Sequence, residues 1–310
     1  MARPVSELRA CPIDGTVLLL APDRLALPVA PAPLPGPEGC PLCADGAAWR
    51  GPVLAHHGEA RAVPVGRPGL RVEAGASVHR ASGGTWRPGL GAHELIVPTP
   101  RHGESPYAMG EQAWGDALAA VAERIRDLRG DRRLQGFQWA MGWRAEAGGR
   151  YGHAGLQLVA TPTLSAVERQ HRAAHRDPAD CPTCARLTDR AHLIEQDAVG
   201  VALSPFAPAV PFACRVLPRA HQGVFDATPD AALQQLGALL ARTLARLGRV
   251  LGDRPVSIAL SGVSDPTIPG HWRIDVSPWL HPAPPIEAAT GWRSHGLAPE
   301  RAAEALRAVS

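Results

Sequence analysis

The chain contains the tetrad Cys-Pro-x-Cys twice, at residues 40–43 and 181–184. Two histidines follow each tetrad, and they stand nearly the same number of residues apart in both sets. Two thiolates from a tight turn and two imidazoles from elsewhere form a closed tetrahedral zinc set. We therefore expect two Zn²⁺ ions per chain and a fold that is built twice. The candidate ligands are Cys40, Cys43, His102 and His153 in the first set and Cys181, Cys184, His221 and His271 in the second.

Cysteine pairs and histidines are also common as plain core or surface residues, and a single set would leave that interpretation open. The duplication of the whole spacing favours metal binding. Cys11 and Cys214 have no partner in a nearby turn, so we interpret them as small apolar residues.

The composition describes a globular protein with no polyanionic partner. Of the 310 residues 45% are hydrophobic and 20% are charged, and the formal net charge is only +3. All the positive side chains are arginines, which suit phosphate recognition but are too dispersed to indicate nucleic acid binding. No apolar targeting or membrane-spanning segment is evident, so we expect a cytoplasmic protein whose cysteines bind metal and do not form disulfides.

Two long helices are predicted from apolar residues spaced by three and four. They cover residues 112–128 and 230–251, with Asp226 or Thr228 available to cap the second. A short β-rich run precedes and follows each helix, and each helix lies between the two histidines of its set. The proline-rich stretch at 28–37 predicts an extended connector.

This repeated order predicts an α+β protein with a mainly antiparallel sheet and long helices packed on it. We expect two tandem histidine-triad-like halves. The first half is residues 1–165, with the first zinc site and a candidate active site, and the second half is residues 166–310, with the second zinc site.

Many short segments, in order and almost from end to end, resemble the galactose-1-phosphate uridylyltransferases of the histidine-triad superfamily. They include Gly-Ala-His-Glu-Leu-Ile-Val-Pro-Thr-Pro-Arg-His at 91–102, Leu-Pro-Arg-Ala-His at 217–221 and the tail Ala-Pro-Glu-Arg-Ala-Ala-Glu-Ala-Leu-Arg at 298–307. The resemblance implies carbohydrate metabolism, a nucleotide or nucleotide-sugar ligand, no nucleic acid or membrane partner, and relatives that pair into homodimers.

The family transfers a nucleoside monophosphate through a covalent nucleotidyl-histidine, and its site pattern is His-Pro-His-x-Gln. In this sequence the pattern becomes His153, Ala154, Gly155, Leu156 and Gln157. The zinc ligand His153 and the phosphate-binding Gln157 match, whereas Gly155 occupies the nucleophile position. Because glycine has no atom that can attack phosphorus, the covalent chemistry is expected to be altered or lost.

Other positions of the family's substrate site are partly kept. Arg24, Arg150 and Glu287 are the further candidate substrate-binding residues, whereas Leu27 and Val65 replace family arginine and asparagine residues. In the second half the family's His-Trp-His is here His-Trp-Arg at 271–273, which still leaves four zinc ligands.

Three interpretations of function follow from these departures. The chain is a nucleotidyltransferase or phosphohydrolase in which an acceptor or water attacks directly, with arginines such as Arg150 or Arg273 balancing the phosphate charge. Alternatively, it is a non-catalytic, zinc-stabilised paralogue that binds a nucleotide or a protein. In the third interpretation His153 is itself the nucleophile. The sequence leaves these alternatives open.

Overall fold

A central antiparallel sheet, to which each half contributes five strands, organises the molecule. The computed structural model describes residues 6–10, 17–20, 36–174, 181–268 and 270–309. Within these ranges the strands are β1 (Glu7–Ala10), β2 (Val17–Leu20), β3 (Ala55–His57), β4 (Ala60–Pro64), β5 (His79–Ala81), β6 (Gly84–Pro88), β7 (Ala92–Val97), β8 (Gly136–Trp143), β9 (Leu156–Thr161), β10 (Leu193–Gln196), β11 (Gly200–Leu203), β12 (Cys214–Pro218), β13 (Val256–Ser261) and β14 (Arg273–Pro278).

The helices in the same ranges are α1 (Ala47–Arg50), α2 (Glu111–Leu128), α3 (Ala166–Ala174), α4 (Asp230–Leu251), α5 (Pro285–Thr290) and α6 (Pro299–Arg307). The two long helices that the apolar periodicity predicts are therefore confirmed as α2 and α4. Each of the four predicted β-rich runs lies within a strand, namely β7, β9, β12 or β14.

The strand order shows the duplication directly. Among the described residues the central sheet runs β10-β11-β12-β14-β13-β8-β9-β7-β4-β3, so the order of one half is the mirror of the other about the β8–β13 contact. The register of that contact pairs Val256 with Trp143 and Ala259 with Ala140. A smaller sheet, β2-β1-β6-β5, belongs to the first half. The predicted α+β class with two histidine-triad-like halves is confirmed, whereas the boundary at residue 165 stays a prediction.

The helices α2 and α4 cover the sheet and contact each other. Helix α2 packs on β3, β4, β7 and β9, and α4 packs on β10, β11 and β12. The two helices are in close backbone contact at a pair of glycines, since a Cβ on Gly237 would lie 2.4 Å from the backbone nitrogen of Gly115. Their apolar faces bury Trp114, Leu118 and Leu240 completely, so one hydrophobic core extends across both halves.

The predicted cap of the second long helix is wrong. Pro229 stands at the N-cap of α4, and no side chain accepts a hydrogen bond there. Asp226 instead accepts two hydrogen bonds from Arg129 at the end of α2, at 2.5 and 2.8 Å. Thr228 Oγ1 accepts a hydrogen bond from Trp272 Nε1 at 3.1 Å. Both polar side chains therefore form hydrogen bonds with distant residues, Arg129 and Trp272, and neither accepts a hydrogen bond from the first turn of α4.

None of the helices among the described residues has the length and apolar content needed to cross a bilayer.

Candidate functional site

The first set of predicted ligands lies together at the ends of β7 and β9. The four candidate ligand atoms of Cys40, Cys43, His102 and His153 all lie within 4.8 Å of one another. The Nδ1 atom of His102 is 3.3 Å from Cys43 Sγ, and the Nδ1 atom of His153 is 3.7 Å from the same sulfur and 3.8 Å from Cys40 Sγ. Tetrahedral zinc with ordinary bond lengths places sulfur and nitrogen ligands about 3.6 Å apart. The spacing therefore fits one four-coordinate ion.

The second set repeats this geometry. The candidate ligand atoms of Cys181, Cys184, His221 and His271 lie within 4.8 Å of one another. The Nδ1 atoms of His221 and His271 are 3.3 and 3.5 Å from Cys184 Sγ. The two imidazoles meet edge to face with centroids 5.7 Å apart, as the two imidazoles of the first set also do. Both sites are therefore one local structure, used twice.

The buried histidine of each set is held by a backbone carbonyl. His153 Nε2 donates to Thr99 O at 2.7 Å, and His271 Nε2 donates to Pro218 O at 2.7 Å. Thr99 lies three residues before His102, and Pro218 lies three residues before His221. In each set one short segment therefore supplies both a histidine ligand and the carbonyl that binds the other histidine. A hydrogen on Nε2 leaves the lone pair on Nδ1, which is the atom that faces the sulfurs. Burial lowers the pKa of His153, which favours the neutral imidazole that binds metal.

The thiols also fit a bound cation. Burial, together with the hydrogen bond and charge of Cys40, raises the pKa of Cys43 to about 11. Burial and the neighbouring Cys181 raise the pKa of Cys184 to about 11 in the same way. The two thiol sulfurs of each set lie within 4.8 Å of each other, so their thiolate forms would repel unless a cation lay between them. Two sulfurs with two imidazole nitrogens form the donor set that zinc prefers, so both groups could hold a metal ion.

A small cavity adjoins the first metal group at Gly155, the position that the sequence resemblance assigns to a nucleophile. It has a volume of about 50 Å³, and its lining includes Gly155, Gln157, His153 and Arg150. A Cβ on Gly155 would lie 3.3 Å from Leu95 Cδ1 and 3.5 Å from Leu42 Cδ1. Two leucine side chains therefore border the space into which a side chain at position 155 would project.

This small cavity continues into a larger one. Leu42, Val65, Leu95, Arg150 and Tyr151 line both, and the larger cavity has a volume of about 490 Å³. Arg67 contributes a second guanidinium to its wall. A cleft of this size is within the range of small-molecule sites. The two cavities together form one cleft, and we call it the Gln157 cleft.

Gln157 is oriented by a residue that the sequence did not single out. The Gly69 N–H donates to His93 Nδ1 at 3.2 Å, so the ring hydrogen of His93 is on Nε2. That nitrogen lies 3.2 Å from Gln157 Oε1 and donates to it. Since the amide oxygen is occupied, the amide NH₂ group is the part of Gln157 that can donate into the cleft. His93 is buried, and its ring positions the side chain of Gln157.

The other predicted substrate residues have different positions. Arg150 is exposed and lies on the wall of the Gln157 cleft, as does Val65. Glu287 is buried in α5, where it accepts hydrogen bonds from Ser294 N and Arg293, and it does not line this cleft. Arg24, Leu27, Cys11 and residues 28–35 of the predicted connector lie outside the described residues. Trp139 and Trp143 are buried in the hydrophobic core.

Comparison with known proteins shows which solved structures share this fold. The sequence is 24% identical over 327 residues to an ADP-glucose phosphorylase of Arabidopsis thaliana, covering 98% of this chain and 93% of that protein. A solved uridylyltransferase superposes with a TM-score of 0.82 at 21% identity, covering 97% of this chain and 98% of the other. The structure of an Arabidopsis thaliana ADP-glucose phosphorylase with bound ADP-glucose superposes with a TM-score of 0.74 at 22% identity, with 99% of both chains covered. No family model matches the chain.

The chain is similar along almost its whole length to an ADP-glucose phosphorylase, and its fold is that of the solved uridylyltransferase. The resemblance that the sequence segments carry is therefore confirmed. At these identities the solved structures establish the uridylyltransferase-like fold, and what the chain binds has to be argued from its own residues.

Proposed function

We propose that this chain transfers the nucleotidyl group of a nucleotide sugar directly to a phosphate or phosphate monoester, without a covalent nucleotidyl-histidine. The observation that carries the proposal is the His93–Gln157 contact, which leaves the amide NH₂ of Gln157 to donate into the small cavity at the inner end of the Gln157 cleft. The names of the relatives, a uridylyltransferase and an ADP-glucose phosphorylase, support a donor of the UDP-hexose or ADP-glucose type.

We infer that the two metal groups bind structural Zn²⁺. Each set offers four protein ligands, which leaves no open position for substrate. The ion in the first set would fix the turn at residues 40–43 to the ends of β7 and β9, and so would hold Leu42 and His153 beside the Gln157 cleft.

A direct displacement is supported by the scarcity of nucleophiles in the described lining of the Gln157 cleft, where Tyr151 carries the one hydroxyl. Gly155 has no side chain, and both nitrogens of His153 are engaged, Nδ1 beside the sulfurs and Nε2 with Thr99 O. This argues against the interpretation in which His153 attacks phosphorus. Within the described lining of the small cavity there is also no carboxylate, and His153 is its only histidine. An acceptor hydroxyl would find no carboxylate in this lining to take its proton, so an acceptor that is already an oxyanion fits better.

The step that follows needs no proton transfer. An oxygen of the phosphate acceptor forms a bond to the α-phosphorus of the nucleotide sugar, and the bond from that phosphorus to the bridging oxygen breaks. The sugar 1-phosphate leaves with the electron pair. The Gln157 amide, Arg150 and Arg67 would donate to the phosphate oxygens, on which negative charge is concentrated.

Turnover of ADP-glucose or UDP-glucose with phosphate or hexose 1-phosphate tests the proposal. We expect Gln157→Ala to lower kcat/KM about 100-fold, as is typical for loss of one donor to phosphoryl or acyl oxygens. Gln135→Ala, at an exposed glutamine outside the cleft, is the matched control and should leave the rate unchanged. A single displacement should invert the configuration at a chiral α-phosphorothioate, and intact-mass analysis should show no nucleotidyl adduct.

Three results would contradict this function. An adduct on His153, or retention at phosphorus, would indicate a covalent mechanism. Equal rates for Gln157→Ala and the natural protein would show that the Gln157 cleft is not the reaction site. Binding of nucleotide sugars without turnover with any of these acceptors would favour the non-catalytic alternative.

Zinc affinity should depend steeply on pH. Cys43 and Cys184 have their pKa raised to about 11 without metal, so at any lower pH zinc binding must release a proton from each. The affinity of each site should therefore fall at least about tenfold for each unit by which the pH is lowered. Competition with a chromophoric chelator between pH 6 and pH 9 measures this slope. A pH-independent affinity would mean that the thiols are not ligands.

A further inference from the structure

A second cavity lies in the other half, at the place on the sheet that corresponds to the Gln157 cleft. In the first half Leu95 of β7 pairs with Gln157 of β9, and in the second half Arg215 of β12 pairs with Asp275 of β14. Gln157 and Asp275 each stand four residues after the buried histidine of their set, and Gly155 and Arg273 each stand two after it. Two arginines therefore occupy positions that hold a leucine and a glycine in the first half.

This second cavity has a volume of about 440 Å³. The lining carries three guanidinium groups, from Arg186, Arg215 and Arg273, against one carboxylate, from Asp189. Arg215 and Arg273 both contact Asp275 beneath them, at 2.7 and 3.0 Å, and Arg273 also donates to His171 Nε2 at 3.0 Å. These contacts fix two planar donors side by side, which suits the oxygens of a phosphate group.

The wall also presents polar and aromatic groups suited to the rest of a ligand. Ser204 lines the cavity and is fully buried, and its hydroxyl has no hydrogen-bond partner among the described residues. A buried hydroxyl without a partner is costly, and a ligand oxygen would satisfy it. Phe206 lies at the same cavity with 64% of its surface exposed, and the Arg186 guanidinium lies 4.9 Å from its ring centroid. An exposed ring beside phosphate-binding arginines can stack on a nucleobase.

We propose that this second-half cavity is a separate binding site for a nucleoside phosphate, with the phosphates on Arg215 and Arg273 and the base on Phe206. The side chains decide the assignment. In the first half the strand positions beside the metal group carry Leu95 and Gly155, whereas in the second half the corresponding positions carry Arg215 and Arg273, and both of these line the cavity.

Isothermal titration with ADP, and with inorganic pyrophosphate as a base-free probe, tests the site. We expect Gln157→Ala to leave ADP binding at this site unchanged, because Gln157 lies in the other cavity. We expect Arg215→Leu to weaken ADP binding about tenfold or more, because it removes charge-assisted hydrogen bonds to the phosphates. Arg186→Gln, at a half-exposed position that the fold tolerates more easily, should weaken it in the same direction. Phe206→Ala should weaken ADP binding but leave pyrophosphate binding unchanged. Arg80→Gln, an exposed arginine on β5, controls for the change in net charge.

The outcomes separate this proposal from that for the Gln157 cleft. ADP binding that Gln157→Ala abolishes and Arg186→Gln leaves intact would overturn the second site and support the first. ADP binding that Gln157→Ala does not affect and the second-half variants reduce would support the second site, even if no transfer activity exists. Failure of both probes to bind at millimolar concentration would overturn it, as would equal weakening by Arg80→Gln.

Discussion

Cys43→Ser and Cys184→Ser are each expected to remove one metal ion per chain and to lower the free energy of unfolding by several kcal/mol. Structural zinc binds small metal-dependent units with apparent free energies on the order of 10 kcal/mol, and part of that is lost with one thiolate. The loss should be large because each set joins a Cys-Pro-x-Cys turn to two distant sheet ends, as the contacts of Cys43 with His102 and His153 show. Elemental analysis and thermal unfolding with and without a chelator measure both effects.

Cys214→Ala provides the matched control. Cys214 is a buried thiol outside both metal groups, and its Sγ donates to Phe212 O at 3.3 Å. Its replacement should cost only about 1 kcal/mol, as for a small core residue with one weak hydrogen bond, and should leave the metal content unchanged. If Cys43→Ser unfolds no more easily than Cys214→Ala, the first metal group has no structural role.

Arg124→Met should destabilise the protein by about 3–5 kcal/mol, the usual cost of leaving a buried charge without its partner. Arg124 on α2 makes a bidentate pair with Glu94 on β7, with both distances 2.8 Å and both side chains about 9% exposed. Denaturant unfolding of the single variants and of Glu94→Leu/Arg124→Met measures the coupling. The double variant should be considerably more stable than the sum of the single losses predicts, because no unpaired charge remains.

An exposed pair serves as the comparison. Arg133 and Asp131 also form a bidentate contact, but both side chains face solvent, so Arg133→Met should change the unfolding free energy little. A loss for Arg133→Met as large as that for Arg124→Met would mean that burial does not set the cost. Additive losses in the double variant at Glu94 and Arg124 would mean that the pair is not coupled.

Features with a local or repeated signal could be predicted from the sequence. The apolar spacing in α2 and α4 depends on helical geometry alone, so the helices are recognisable without knowing the fold. The Cys-Pro-x-Cys turns could be assigned to metal groups because two residues of each set are adjacent and the whole spacing occurs twice. The structure brings all eight predicted ligands together as two groups.

The residues that meet through contacts between distant segments could not be predicted from the sequence. His93 looks like an ordinary histidine in an apolar run, and only the β7–β9 register places it beside Gln157. Arg273 was considered as a phosphate ligand, but its position in a second cavity depends on packing of α3, β12 and the segment around Phe206. The predicted cap of α4 is wrong for the same reason, because Asp226 and Thr228 form hydrogen bonds with residues more than 40 positions away in the sequence.

The β8–β13 contact also limits how the molecule can move. Because hydrogen bonds continue across this junction and α2 contacts α4 beside it, the halves share one sheet and one apolar core. A hinge here would expose paired backbone groups of both strands and open the Gly115–Gly237 contact, at the free-energy cost of partial unfolding. Enclosure of a ligand by closing two lobes is therefore not available to this protein. Entry and release at either cavity must depend on rearrangement of surface loops and side chains, while the ends of the sheet that carry the candidate metal ligands remain fixed.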